Sequence, residues 1–327
     1  MTFTLFSKPA WFMPALAFMF LPPAHAVAGS DATLAVGGKI KLEYFDKRTK
    51  EQAGKIGKDT DSLIDEAVLA LDAKFGSFPD VTLVLATEKI RTSEFEPVFV
   101  KEFILTHGFD SNHKLIAGRM ELPFGVFKTA TITDPQTKKI GKTKTDAGLG
   151  VKGRNDTARL EWNVIAFADD YRTPGKPGAD GVTANLSWNA TNKWAVGGGF
   201  ISSQYARTNA PALANIHVGM RDDAWELTSE YVSALDNEGG ENPRGWSMDG
   251  AYQVASQLKL GVRHQAAERR FVVNSARSRY NEWALALKYE PYPRTTIGIE
   301  YLAGRRRGQP VDFQDVRQIT AQVILSF

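Results

Sequence analysis

The chain has 327 residues, with 40 Lys and Arg against 37 Asp and Glu and no cysteine. A formal charge of +3 is too balanced to argue for nucleic acid or a polybasic membrane clamp. The missing cysteines exclude disulfide frameworks, thiol catalysis and cysteine metal sites.

The first element in chain order is a targeting segment. Lys8 precedes the apolar run Trp11 to Leu21, and small residues at Ala24 and Ala26 follow. This pattern suits a cleaved secretory signal, whereas a spanning helix needs about twenty apolar residues. Pro14, Pro22 and Pro23 break the segment further. Residues 1–26 are therefore expected to be a signal peptide and residues 27–327 a single domain. Loss of Lys8 lowers the charge from +3 to +2. No later stretch approaches about eighteen consecutive apolar residues, which excludes helical spans after the signal.

From Gly38 onward the sequence alternates. Gly38–Phe45, Ser62–Phe75, Thr157–Ala168, Ala224–Leu235, Gln257–His264, Glu282–Glu290 and the last segment from Ile319 each place apolar residues on one parity. In Thr157–Ala168, for example, Leu160, Trp162 and Val164 alternate with Arg159, Glu161 and Asn163. A period of two marks strands, and about sixteen such segments can be drawn, near the length a tilted strand needs to cross a bilayer.

Connection lengths alternate as well. Short turns fall at Gly76, Gly108, Gly153, Asn189, Arg221, Ser256 and Pro291. Longer polar loops are expected at Asp46–Asp61, Arg91–Glu96, Leu122–Thr143, Asp169–Gly181, Gln204–Pro211, Asp236–Pro243, Glu268–Arg279 and Arg305–Asp315. Together these predict an all-β fold: a transmembrane antiparallel β-barrel of about sixteen strands in the bacterial outer membrane, with long extracellular loops and short periplasmic turns. A soluble sandwich shares the alternation, but it does not explain tryptophan at strand ends, as at Trp188, Trp194, Trp225, Trp246 and Trp283. In a closed barrel the last strand pairs with the first, so Phe327 needs no polar tail. The terminal alternation ending in Phe also resembles the assembly signal of outer-membrane proteins, implying the barrel assembly machinery as a partner.

Several patterns mimic functional motifs. Gly148–Gly153 fits G-x-G-x-x-G but lies inside a strand and does not open a helix. Gly141 opens a GKT without the upstream glycine of a phosphate loop. His107, His113, His217 and His264 form no pair at metal spacing, and no nucleophile elbow is present. The expectation is a protein that is not an enzyme, with no cofactor, no metal and no nucleic-acid partner. Arg305–Arg307 is read as part of an external loop able to meet lipopolysaccharide phosphates.

The informative stretch is Ala117–Val151, which holds the longest loop. Arg119 precedes a sharp turn at Pro123 and Gly125, while Phe124 and Phe127 are candidates to anchor the loop to the wall. Asp134 before Pro135 signals a second turn, and Lys128, Lys138, Lys139, Lys142 and Lys144 make the loop cationic. Carried into a lumen, that charge would favour anions. Strand parity drafts Glu66, Asp72, Lys74, Arg159, Glu161, Asn163, Glu226, Glu230, Asp249, Lys259, Arg263, Glu282, Lys288 and Glu300 as inward-facing.

The run G-R-x-x-x-P-F-G-x-F-x-T followed by I-T-D-P-x-T resembles the LbtU-type siderophore porin family. The match covers about thirty-five residues, with Gly118, Arg119, Pro123, Phe124, Gly125, Phe127, Thr129, Asp134, Pro135 and Thr137 at the matched positions. The resemblance implies a sixteen-stranded porin linked to ferric siderophore uptake, without a plug domain. Where that family carries an acidic segment, this chain has KKIGKTKT, which shifts the expected solute toward anions. The resulting expectation is a passive channel for small solutes, a ferric siderophore or another anionic metabolite, among outer-membrane lipid and lipopolysaccharide, with a homotrimer left open. The alternative is a binding or adhesion barrel plugged by its own loops.

Overall fold

The computed structural model describes residues 32–51, 54–76, 79–90, 97–141, 146–168, 181–202, 211–236, 240–271, 276–308 and 313–327. The expected signal peptide, Lys142 and Lys144 lie outside them, as do the loop segments 91–96, 169–180 and 203–210.

Sixteen strands follow in chain order: β1 (Ala32–Glu51), β2 (Ile56–Phe75), β3 (Asp80–Ile90), β4 (Phe99–Gly108), β5 (His113–Met120), β6 (Asp146–Asn155), β7 (Leu160–Ala168) and β8 (Gly181–Trp188) form the first half. The second half comprises β9 (Trp194–Ile201), β10 (Leu213–Arg221), β11 (Trp225–Ala234), β12 (Glu241–Ala255), β13 (Leu258–Phe271), β14 (Arg277–Tyr292), β15 (Thr295–Arg307) and β16 (Phe313–Ser326). A six-residue helix, α1 (Gln136–Gly141), lies between β5 and β6. Every strand pairs antiparallel with its chain neighbours, and β1 pairs β16 to close the barrel, from Lys39 opposite Ser326 to Glu51 opposite Gln314. Phe327 and Gly38 exchange two backbone hydrogen bonds of 3.1 Å at the seam. The all-β barrel of sixteen strands expected from the alternation is thus the fold observed.

The alternation is inside out relative to a soluble sheet. In β14, Trp283 and Leu285 are 55% and 51% exposed while the alternate residues Glu282 and Ala284 are 1% and 3% exposed. In β16, Ile319 is 46% exposed and Thr320 is fully buried. Apolar side chains left open all round a sealed cylinder are stable only where the surrounding solvent is hydrocarbon. Trp188, Trp194 and Trp225 crowd the short-turn end, and Trp246 and Trp283 lie toward the long-loop end, as two interfacial belts require.

The strands outrun the expected loops. β1 and β2 each have 20 residues, so most of Asp46–Asp61 is ladder. β13 and β14 likewise extend into Glu268–Arg279, and β15 and β16 into Arg305–Asp315. Beyond the bilayer both faces of a strand are wet, so the polar residues there no longer alternate with apolar ones although the hydrogen-bond ladder continues. Arg159 moves the other way. It occupies the turn before β7, at φ 54, and does not line the lumen from a strand.

Candidate functional site

The stretch after β5 folds into the barrel. Its entry is apolar: Met120, Leu122 and Phe124, each no more than 3% exposed, pack against the inward residues Ile165, Phe167, Ile201, Leu213 and Val232. The Thr183 hydroxyl donates 3.0 Å to the Pro123 carbonyl. Gly125 then takes φ 75, a region that glycine enters without penalty, and Phe127 follows at φ 45. A residue such as phenylalanine holds that conformation only where its surroundings enforce it. Here Glu230 of β11 does so, accepting the Val126 and Phe127 backbone N–H groups at 2.8 and 3.2 Å, while the Phe124 and Phe127 rings pack 6.2 Å apart.

From Thr129 to Thr133 the loop lies as a strap across β12 to β15. Asp249 of β12 accepts the Ala130 N–H at 3.3 Å and the Thr129 hydroxyl at 3.1 Å. Glu300 of β15 accepts the Ile132 and Thr133 N–H groups at 2.5 and 3.1 Å and the Thr133 hydroxyl at 2.7 Å. Arg263 of β13 donates to the hydroxyls of Thr129, Thr131 and Thr133 at 3.1, 2.7 and 2.7 Å, and to the Thr133 carbonyl. Lys288 of β14 reaches the Thr131 carbonyl at 2.9 Å. The strap runs so close to the wall that a Cβ at Gly261 would collide with the Ala130 carbonyl, so only glycine fits there. Beyond the strap, the Gln136 N–H donates 2.6 Å to the Gln265 side chain, and Thr137 and Ser247 hydroxyls meet at 3.2 Å.

The clamp is deeply buried: Arg263 is fully covered, and Glu282, Glu300, Glu230 and Asp249 are 1 to 3% exposed. Isolated charges at such depth cost far more than any neutral group. Arg263 is offset by Glu282 at 2.9 Å, and Glu282 also accepts from Gln265 and Tyr280. Each charge-assisted hydrogen bond contributes about 1.5–3 kcal/mol net, so several in series hold the loop firmly.

No protein-family model matches the chain. The UPF0422 protein lpg2959 of Legionella pneumophila is 28% identical over 186 residues, a match covering 47% of this chain and 34% of that protein. The chain therefore spans about a third of the length of the curated relatives it matches. Among solved structures, the outer membrane channel DcaP of Acinetobacter baumannii superposes with a TM-score of 0.68 at 13% identity, over 94% of this chain and all of that one. The anion-selective porin from Comamonas acidovorans gives 0.62 at 11% identity, over 91% and 100%. The chain has the architecture of an outer-membrane porin.

The expected site residues divide within this porin-like barrel. Pro123, Phe124, Gly125 and Phe127 form the loop entry. Lys128 is exposed to the lumen, whereas Lys138 is neutralised by Asp134 at 2.7 Å. Lys139 on α1 faces the channel but is enclosed by the barrel, and that desolvation lowers its pKa below the ordinary lysine value. Arg119 belongs to β5, paired opposite Phe103 and Ala147, and is part of the wall and not of the loop. Arg263 and Lys288 point inward as parity requires, but they lie under the strap and do not line open lumen. On the opposite side Glu66 joins Lys39 at 2.6 Å and Lys101 at 2.5 Å. Asp72 accepts from Thr82 at 2.6 Å, Lys74 sits in β2 opposite Thr33, and Glu161 lines the vestibule at the short-turn end.

Two cavities flank the loop. One of about 610 Å³ opens toward the long-loop end, with Lys41, Lys47, Asp65, Asp134, Lys139 and Arg306 around it. The other, about 460 Å³, lies toward the short turns and contains Lys114, Lys152, Arg154, Glu161 and His217. Sequence reasoning missed Lys114 and Lys152. They are direct cross-strand partners, and neither has an ion-pair partner among the described residues. Like charges placed opposite each other destabilise a sheet, so the pairing itself was the available signal.

Proposed function

We propose that this protein is a passive outer-membrane channel for small solutes, with a preference for anions. The observation that carries the reading is the one-sided seat of the loop. Glu230, Asp249 and Glu300 hold it to the wall made by β11 to β15, while Lys39, Lys101 and Glu88 on the facing wall keep 40, 27 and 41% of their side-chain surface open. A loop drawn to one wall narrows a lumen without filling it. Lys128, Lys139, Lys114 and Lys152 supply positive charge along the remaining path, which raises local anion concentration and lowers the barrier to anion entry. The siderophore reading, a ferric siderophore or another anionic metabolite as solute, rests on the LbtU-type motif in Ala117–Val151. Delivery would use the signal peptide at residues 1–26 and the barrel assembly machinery.

The test is single-channel recording of the refolded barrel in a planar bilayer under a salt gradient. Open steps with an anion-directed reversal potential are expected, reduced by joint replacement of Lys128, Lys138, Lys139, Lys142 and Lys144 with Gln. An unchanged reversal potential would remove the loop from selectivity. Silence from a demonstrably folded barrel would replace the channel with a loop-plugged binding barrel.

A further inference from the structure

A third cavity is outside the barrel. A groove of about 850 Å³ runs down the outer face of β12 to β16 at the long-loop end. Ala266 and Ala303 line it beside Trp246 and Trp283, and its upper rim carries Arg244, Arg279, Arg305, Arg307 and Arg317 against only Glu268 and Asp315. Parity settles which face this is. Arg306 turns inward and donates 3.0 Å to Ser278, so its neighbours Arg305 and Arg307 in β15 face out, on the same side as Tyr301 and Ile299, which are 47% and 53% exposed. The run Arg305–Arg307 is therefore strand and not loop, split between the lumen and the outer face above the bilayer.

The rim is built at an electrostatic cost. Arg279 is the direct cross-strand partner of Arg307, and Arg317 that of Arg48. Like charges directly opposite each other destabilise a sheet. Glu268 offsets Arg244 and Arg279 at 3.4 and 3.3 Å, and Asp315 takes Arg305 at 2.8 Å. Arg307 and Arg317 have no ion-pair partner among the described residues. Just below, the ring of His264 stacks on Trp283 at 3.8 Å and meets Trp246 edge-on at 4.9 Å, forming a flat apolar step between charge and bilayer. A ligand that fits must carry phosphate at one end and hydrocarbon at the other, and must reach the barrel from the membrane side. Arginine favours phosphate through forked hydrogen bonds, and interfacial tryptophan favours the head-group boundary.

We propose that this groove is a binding site for a phosphorylated, acylated lipid of the outer leaflet, its phosphate held by Arg279, Arg307 and Arg317 and an acyl chain lying over Ala266 and Ala303, beside the two tryptophans.

The test titrates bisphosphorylated lipid A into the detergent-solubilised full barrel and counts bound lipid by native mass spectrometry. One lipid per barrel is expected, without binding of dephosphorylated lipid A. The joint change R279Q, R307Q and R317Q should weaken it by roughly a hundredfold, the loss of about three basic contacts near an anionic membrane surface. R306Q, which alters only the lumen, should leave it unchanged. Should the triple variant not fold, R307Q and R317Q singly retain the test, because neither arginine forms an ion pair with a described residue. Equal binding by the variants, equal binding of the dephosphorylated lipid, or displacement by inorganic pyrophosphate alone would overturn the proposal. A change in oligomeric mass with lipid binding intact would assign the groove to a subunit contact instead.

Discussion

The two walls of the lumen solve opposite problems with the same residue types. On β11 to β15 the inward charges are dry: Arg263 and Glu282 are 0 and 1% exposed, and each is held by the loop or by wall neighbours. On β1 to β4 the inward charges are wet: Lys39, Glu66, Lys101 and Glu88 form a chain of ion pairs at 2.5 to 3.5 Å that solvent still reaches. A dry pair is costly to break because its survivor stays uncompensated, whereas a wet pair contributes little to stability and much to the local field. One wall therefore holds the loop in place, and the other leaves its charges open to the lumen.

Replacing Arg263 with Ala attacks the dry wall hardest. It strands Glu282 and frees three threonines, and should cost about 3–5 kcal/mol. Hydrogen exchange at the Ile132 and Thr133 amides should report the loss, with the barrel itself still resisting denaturation in detergent. Intact protection of those amides would contradict the clamp. A smaller effect, about 1–3 kcal/mol, is expected from G261A, whose added methyl pushes on the Ala130 carbonyl. Conductance should change together with amide protection, since the strap must shift away from the wall.

On the wet wall, E66Q should change stability by less than about 1 kcal/mol. It should nevertheless move the reversal potential toward anions, because Lys39 and Lys101 lose their shared carboxylate. If thermal stability falls as far as with Arg263→Ala, the contrast between the walls fails. The smallest effect concerns Lys139. Enclosure lowers its pKa, so its positive charge is lost as pH rises, sooner than for an ordinary lysine. Anion preference should decline on the alkaline side accordingly, and K139Q should remove that step from the titration.

The barrel was legible because the membrane imposes a period of two on every strand, and residues such as Trp283 and Glu282 announce their faces one by one. The place of the loop was not. Glu230, Asp249 and Glu300 read as three ordinary inward positions, indistinguishable from Glu226 or Glu161, since what separates them is a set of backbone N–H partners that leave no mark in sequence. The faint clue was the alternation of Thr129, Thr131 and Thr133 with Ala130 and Ile132, which suits a segment laid along a polar wall. Parity could place Arg263 inward, but it could not say that a strap would cover it.

The strap also constrains the order of events during folding. Ile132 is tied to a residue 168 positions later in the chain, and Val126 to one 104 positions later. Contacts this distant form slowly, after the entropy of closing the intervening chain has been met. The loop cannot take its seat until β15 stands in the wall. The barrel must therefore pass through a stage in which its cylinder is largely built and its bore is still undefined, and the width of the passage is fixed last.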